Sequence, residues 1–182
     1  MLTCASIWNS MAHREIALRF VPTSQAVRRG IIAHRALVGA GGEAACGEML
    51  KGRGLGDATL QLLDDTADAW ATLCAGARVL AIPRQDDGAL SDEAWDLLLI
   101  ALSTGLPVVS TRRGGLAPFL THGVEGYVAS TEHDAPLDLS PAAAKLLTDD
   151  TLFHRFSRGA CARVLISPCE GGVVVSPVVR AN

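Results

Sequence analysis

Short apolar runs alternate with longer amphipathic stretches along most of the chain. The apolar runs have the length and composition of buried strands, and they cover residues 2–7, 31–38, 58–63, 78–82, 106–110 and the segment that follows Gly126. The amphipathic stretches carry apolar residues at helical spacing, and they cover residues 13–29, 43–51, 66–75, 91–104, 135–147 and 151–165. Strands that alternate with helices indicate βαβ units, so we predict an α/β fold: a three-layer, Rossmann-like domain with a mostly parallel sheet.

Residues that begin or end elements punctuate this pattern. Pro22 breaks the first predicted helix, and Ser91 begins a later predicted helix. Glycines at positions 39, 41 and 42 separate a predicted strand from a helix, and a short helix is predicted after Gly114-Gly115.

The composition fits one domain with an aliphatic core. Apolar residues make up 49% of the 182 residues and aromatic residues only 4%, so Leu, Val, Ile and Ala must fill the interior. Such cores are typical of parallel sheets covered by helices. We assign residues 1–165 to this domain and residues 166–182, which fit neither helix nor strand, to a tail of unclear structure.

The distribution of apolar residues also bears on location. No apolar run reaches the roughly 18 residues that a membrane-spanning helix requires. The first 15 residues lack the basic start and long apolar centre of a signal peptide. We therefore expect a cytoplasmic protein without a transmembrane segment, either free in the cytosol or at the inner face of the membrane.

Charge and cysteine content argue against several classes of ligand. The net charge is -3 and basic residues are scattered, so no nucleic-acid partner is predicted. The five cysteines form no CxxC pair, which favours reduced thiols over disulfides or a zinc site. The chain has no nucleophile elbow, no HExxH and no Walker lysine loop, so we predict neither a metal nor a cofactor, and no catalytic residue can be named.

Glycine-rich loops follow two of the predicted strands, and ligands of parallel sheets bind beyond the carboxyl ends of strands. Gly39 and Gly41 either allow a phosphate to approach the backbone or simply make a tight turn, and the sequence favours neither alternative. Gly114 and Gly115 favour a ligand, because a turn rarely needs both. Asp87 and Arg112 are charged candidates in loops of the same kind, although each is by default a solvated surface charge.

The segment 105–128, GLPVVSTRRGGLAPFLTHGVEGYV, resembles the donor-side signature of the retaining, GT-B-fold glycosyltransferases of group 1, also called family 4. It carries their Gly-Leu-Pro-Val-Val strand, Gly-Gly loop and Gly-x-x-Gly turn in order. Further segments similar to motifs of the family lie in the same order, at residues 36–42, 54–57, 66–83 and 146–164. The resemblance covers residues 1–165, which corresponds to one carboxyl-terminal, donor-binding lobe.

The resemblance implies a domain that binds a nucleotide-sugar and transfers a hexose with retention of configuration, without a metal. The residues that it places at the donor are Gly39, Gly41, Asp87, Arg112, Gly114 and Gly115. GT-B enzymes hold the acceptor on a second, amino-terminal lobe. The resemblance therefore implies that this lobe is inactive alone and works with a separate acceptor-lobe protein or by self-association.

The chain departs from the family at the carboxylates. The glutamate that holds the ribose falls on Ile100, and a glutamate after the glycine pair falls on Pro118. The other helix glutamate aligns with Asp87 if the following loop carries an insertion and with Asp92 if it does not; we favour Asp87. An apolar side chain cannot bond a ribose hydroxyl.

These departures leave two alternatives to an active transferase. One is a catalytically degenerate lobe that serves as a partner subunit. The other is a generic nucleotide-binding, Rossmann-like module, which the glycines at 39–42 alone would allow. A dinucleotide oxidoreductase is disfavoured because that loop lacks the GxGxxG spacing.

Overall fold

Parallel strands form the centre of the molecule. The computed structural model describes residues 30–51, 60–64, 66–113, 115–116, 118–129 and 139–166. Its strands are β1 (Ile31–His34), β2 (Leu60–Leu63), β3 (Val79–Ile82), β4 (Val108–Thr111) and β5 (Gly126–Ala129). Within the described residues they form one sheet in the order β2-β1-β3-β4-β5, and every neighbouring pair is parallel. The predicted α/β fold with a parallel sheet is confirmed.

In the described residues, helices follow β1, β2, β3 and β5. They are α1 (Arg35–Val38), α2 (Gly42–Lys51), α3 (Ala67–Gly76), α4 (Asp92–Ser103), α5 (Ser140–Thr148) and α6 (Asp150–Ile166). The helix predicted to begin at Ser91 begins one residue later, and Ser91 is its N-cap, because its side chain accepts a hydrogen bond from the Ala94 amide at 3.2 Å. The strand predicted at 2–7, the helix predicted at 13–29 and residues 167–182 of the tail lie outside the described residues.

The first described strand is shorter than predicted. The apolar run 31–38 was expected to be one strand, but β1 ends at His34 and the next four residues form the helical turn α1. The His34 imidazole accepts a hydrogen bond from the Ala36 amide at 3.2 Å and so caps this turn. Leu37 and Val38 are still buried, now on one face of a helix. A short apolar run fits both structures, and the local cap decides between them.

The segment after the predicted glycine pair is a turn. A short helix was expected there, but the described residues make a single turn in which the amides of Phe119 and Leu120 both donate to the Leu116 carbonyl. Leu116 is fully buried in the core, which fixes this turn against the sheet.

Two apolar clusters lie on opposite faces of the sheet in the described part of the chain. Along β3, Leu80 and Ile82 belong to one cluster, while Val79 and Ala81 belong to the other. This alternation is the two-residue period of a strand whose faces are both covered. The first cluster contains residues of α3 and α4, and the second contains residues of α2 and α5. The predicted three-layer arrangement follows from these contacts.

The turn before β5 brings two backbones together. A Cβ added to Gly126 would lie 1.8 Å from the Val108 carbonyl oxygen, so β5 approaches β4 where only glycine fits. The buried Glu125 carboxylate accepts hydrogen bonds from the Thr121 amide and from Nε of Arg163, both at 2.6 Å. The turn is thereby attached to α6.

The order of the strands defines a switch point. The connection after β1 leads to β2 on one side, whereas the connection after β3 leads to β4 on the other. In open parallel sheets, the loops that diverge at such a point leave a crevice beyond the carboxyl ends of the two strands. The loops that follow β1 and β3 are therefore the first place to look for a ligand.

Candidate ligand site

Three loops meet beyond the carboxyl ends of β1, β3 and β4. We call them the glycine loop (residues 39–42), the aspartate loop (residues 83–90) and the arginine loop (residues 112–115). The aspartate loop is held to each of the other two by a hydrogen bond between groups of different loops. The sheet thus collects in one place segments that are far apart in the sequence.

Arg84, at the start of the aspartate loop, is the most deeply buried charge of this region. It is 4% exposed, and its guanidinium lies directly beside the Asp86 carboxylate. The same guanidinium donates to the carbonyl oxygens of Leu37 at 3.4 Å and Gly88 at 3.1 Å. A buried cation requires such partners, because the loss of its hydration is otherwise uncompensated.

Asp86 joins the aspartate loop to the glycine loop. Its Oδ2 accepts a hydrogen bond from the Ala40 amide at 2.8 Å, and its Oδ1 lies 2.6 Å from Nη2 of Arg84. Partial burial would raise the pKa of Asp86, but the hydrogen bonds from Ala40 and Arg84, with the charge of Arg84, outweigh it and lower the pKa below its usual value. The carboxylate is therefore ionised at neutral pH.

The space at the two candidate glycines of the glycine loop is already filled. A Cβ added to Gly39 would lie 2.8 Å from Cζ of Arg84 and 2.8 Å from Oδ2 of Asp86. At Gly41 it would lie 3.0 Å from Cβ of Gln85. Both glycines also have positive φ, at 64° and 75°. Positive φ is what a tight turn requires, which is one of the two alternatives that the sequence left open. The absence of a Cβ also lets the aspartate loop pack on this backbone, and the role of the two glycines at a phosphate stays a prediction.

The arginine loop lies on the other side of the aspartate loop. The Thr111 hydroxyl donates to the Arg84 carbonyl oxygen at 2.7 Å, and Nη1 of Arg113 donates to the Gln85 carbonyl oxygen at 2.9 Å. Arg113 also lies 3.7 Å from the Asp87 carboxylate, whose side chain is 82% exposed. The candidate Asp87 is thus brought to the arginine loop, with its carboxylate open to solvent.

Two of the three remaining candidates in the arginine loop lie within the described residues, and both are exposed. Arg112 is exposed. Gly115 has a φ of 73°, and a Cβ added to it would meet no atom of the described residues within 4 Å, so nothing in that part of the chain blocks a ligand from its backbone. Gly114 lies outside the described residues. The donor-binding roles of all these residues stay predictions.

Sequence reasoning missed Arg84 and Asp86. Both stand in the stretch PRQDDG that directly follows β3, in which a proline comes first and two carboxylates come fourth and fifth. The arginine was overlooked because charged loop residues are usually solvated. Its position next to the end of a central strand was the available signal, since a side chain there is covered by the loops on both sides.

The structure also shows where the two residues lie that replace glutamates expected from the resemblance. Ile100 is 8% exposed and belongs to the apolar cluster that contains α4, and Pro118 is exposed. Helix α4 returns from the carboxyl edge of the sheet to its amino edge, because β3 and β4 are parallel neighbours. Ile100 follows Asp92 by two helical turns, a rise of about 12 Å along α4. It therefore lies in the core, away from the three loops.

The described residues contain neither a cluster of metal-binding side chains nor a membrane-spanning helix. No group of three or more His, Cys, Asp or Glu side chains that could hold a metal ion occurs in the described ranges. No helix in that part of the chain is long and apolar enough to cross a bilayer.

Comparison with known proteins places this fold. No protein-family model and no curated protein matches the chain, but solved structures do. WaaG, a glycosyltransferase involved in lipopolysaccharide biosynthesis, matches with a TM-score of 0.60 and 18% identity over 77% of this chain and 44% of WaaG. The fold is that of a GT-B glycosyltransferase lobe.

Further structures agree with this glycosyltransferase fold. The C-terminal domain of LpcC, a group 1 glycosyltransferase from Francisella tularensis, matches with a TM-score of 0.50 and 14% identity, over 75% of this chain and 84% of that domain. HepE from Anabaena, solved in complex with UDP, matches with a TM-score of 0.52 and 14% identity, over 89% of this chain and 48% of HepE. The chain therefore spans less than half of WaaG and HepE but most of the isolated LpcC domain. The resemblance to a single GT-B lobe is confirmed at the level of the fold.

Proposed function

We propose that this chain is the donor-binding lobe of a retaining hexosyltransferase that takes its sugar from a UDP-, GDP- or ADP-sugar. The observation that carries the proposal is the meeting of the glycine, aspartate and arginine loops at the switch point of a sheet that has the fold of HepE, a protein solved with UDP. In this proposal a separate acceptor lobe, on another chain or a second copy of this one, completes the enzyme, and no metal takes part.

The three loops offer groups that suit the parts of a nucleotide-sugar. A diphosphate needs cationic side chains and backbone amides that it can approach closely. Arg112 is exposed beside Arg113, and the backbone at Gly115 is open. The exposed Asp87 carboxylate can accept hydrogen bonds from sugar hydroxyls. The proposal assigns the diphosphate to the arginine loop and the sugar to Asp87.

A second candidate is a degenerate lobe that binds a partner chain and has lost catalysis. The specific observation in its favour is Ile100, which is buried in the core where the family carries the glutamate for the ribose. The generic nucleotide-binding module differs from both, because it requires a nucleotide but no sugar.

Binding of nucleotide-sugars tests the proposal. A ligand that binds only the folded state stabilises it by RT ln(1 + [L]/Kd), about 2.7 kcal/mol at a hundred times Kd. We expect at least one of UDP-, GDP- or ADP-hexose to raise the melting temperature by several degrees. Arg112→Gln is expected to reduce this rise, and Arg158→Gln, which removes an exposed arginine from α6, is the matched control.

The outcomes separate the candidates. Equal stabilisation by a nucleoside diphosphate and by its sugar, with no loss in Arg112→Gln, favours the generic nucleotide-binding module. No shift with any nucleotide-sugar at millimolar concentration contradicts the donor site and leaves the degenerate lobe.

A further inference from the structure

The Asp86 carboxylate occupies a place built for an anion. It receives a hydrogen bond from the Ala40 amide, in the glycine loop just before the first turn of α2, and it lies against the Arg84 guanidinium. A backbone amide and an arginine that converge on one point are the donors that proteins use for phosphate groups. Here the anion comes from the chain itself.

The two members of this ion pair are buried to different extents. Arg84 is 4% exposed and is fixed by the Leu37 and Gly88 carbonyl oxygens as well as by Asp86. The Asp86 side chain is 30% exposed and belongs to a loop without helix or strand. The cation is therefore part of the framework, whereas the carboxylate stands at the surface and can rotate outwards.

We infer that Asp86 is an internal anion that closes the glycine loop in the unliganded protein, and that one phosphate group of a diphosphate displaces it to reach the Ala40 amide and Arg84, while the other phosphate group remains at the arginine loop. The inference rests on the proposed function, because the nucleotide-sugar is the diphosphate that would open the site. It makes Asp86 an autoinhibitory contact. It also gives Gly39 and Gly41 a role in both states, since the backbone that now accommodates the aspartate loop would then accommodate the ligand.

Arg84 keeps an anionic partner both before and after the exchange. Asp86 offers one negative charge and two oxygen atoms, whereas a diphosphate carries more charge and more acceptor oxygens on the same two donors. An uncompensated Arg84 is avoided in both states, because the ligand replaces the carboxylate. The cost of moving Asp86 reduces the apparent affinity of the wild-type protein, as for any ligand whose competent state is only partly populated.

Removal of the carboxylate tests the inference. Inorganic pyrophosphate and UDP are titrated by calorimetry into the wild type, Asp86→Asn and Asp86→Ala. Both variants remove the counter-charge of Arg84. Asp86→Asn keeps an oxygen that can accept from Ala40 and should stay folded, whereas Asp86→Ala also leaves the Ala40 amide without its acceptor. Glu93→Gln is the matched control, because it removes a carboxylate from the exposed first turn of α4, close in sequence but outside the three loops.

We expect Asp86→Asn to bind both probes roughly tenfold more tightly than the wild type, Asp86→Ala up to about a hundredfold if folded, and Glu93→Gln within about twofold of the wild type. If Asp86→Asn binds pyrophosphate more tightly than the wild type but neither protein binds UDP, the anion site is supported and the donor proposal is contradicted. The inference is overturned if folded Asp86→Asn binds UDP and pyrophosphate no more tightly than the wild type does. In that case, any binding of UDP still leaves the donor proposal standing. Equal gains in Glu93→Gln also overturn it, because they would reflect net charge alone.

Discussion

Replacing Ile100 by glutamate restores the carboxylate that the glycosyltransferase resemblance places there, and the structure predicts that the restoration fails. Ile100 is 8% exposed and packs in the apolar cluster between α4 and the sheet. It lies three residues before the end of α4, towards the amino edge of the sheet, whereas the candidate loops lie at the carboxyl edge. We expect a strongly destabilised protein rather than a stronger donor site.

The magnitude follows from burial. Loss of the buried isoleucine side chain costs about 1.5–3 kcal/mol, and a polar group that replaces it without a partner costs about 1–3 kcal/mol more. Holding the introduced carboxyl protonated at pH 7 costs about 1.36 kcal/mol for each unit above its unfolded pKa of about 4.3, or about 4 kcal/mol. The sum is comparable to the whole free energy of unfolding of a domain, about 5–15 kcal/mol.

Urea denaturation followed by circular dichroism measures this loss. Ile100→Gln isolates the uncharged part, and Ile100→Leu, a volume-conserving control, should cost less than about 1.5 kcal/mol. The folded pKa of the introduced carboxyl is raised, so its deficit relative to the wild type is large at pH 7 and shrinks as the pH falls towards 5. A variant Ile100→Glu as stable as Ile100→Leu at pH 7, with tighter UDP-sugar binding, would refute the assignment of Ile100 to the core.

Two further predictions concern backbone packing and charge. Gly126→Ala places a Cβ 1.8 Å from the Val108 carbonyl oxygen and should lower the free energy of unfolding in urea by more than about 3 kcal/mol. Gly47→Ala lies inside α2, where the added Cβ meets no atom of the described residues within 4 Å, and it should raise the free energy of unfolding by about 0.5–1 kcal/mol. Similar effects of the two changes would contradict the close approach of β5 to β4. The pKa of Asp96 is raised by partial burial and by the charge of Asp92, so ionised Asp96 destabilises the fold and its favourable contribution is confined to low pH. Asp96→Asn should therefore stabilise at pH 7, by less than about 1 kcal/mol because solvent screens the side chain, and the gain should disappear in melts near pH 3.5.

The sequence predicted the sheet well because its strands are short apolar runs that end on recognisable residues. Pro83 directly follows β3, because proline lacks the amide that a further strand residue would donate. Ser91 precedes α4, because its side chain accepts a hydrogen bond from a free amide of the first turn. The error at residues 35–38 has a local cause, since their apolar pattern suits a strand or a helix and a histidine cap decides. The spacing of apolar residues carries no information about such a side-chain cap, so the length of β1 could not be predicted from the sequence.

The candidate site was predicted as a region but not as a set of contacts. Parallel strands imply that loops after β1, β3 and β4 share an edge, and the loops at Gly39, Asp87 and Arg112 do so. The pairing of Arg84 with Asp86 depends on which side chain of PRQDDG turns inwards. That choice is made by the glycine loop packing from the other side, which is a tertiary effect.

The strand order has a consequence for how this chain reaches its native state. Ile31 of β1 pairs with Val79 of β3, and the chain between them must first leave the centre of the sheet to make β2. Pairings between distant segments carry a large loop-closure entropy before any contact rewards it, so sheets of this kind fold slowly for their size. On a ribosome, the crevice between the glycine and aspartate loops exists only after β3 has emerged, and the arginine loop reaches it later still. The three loops are therefore brought together only after β4 has joined the sheet, when four of its five described strands are paired.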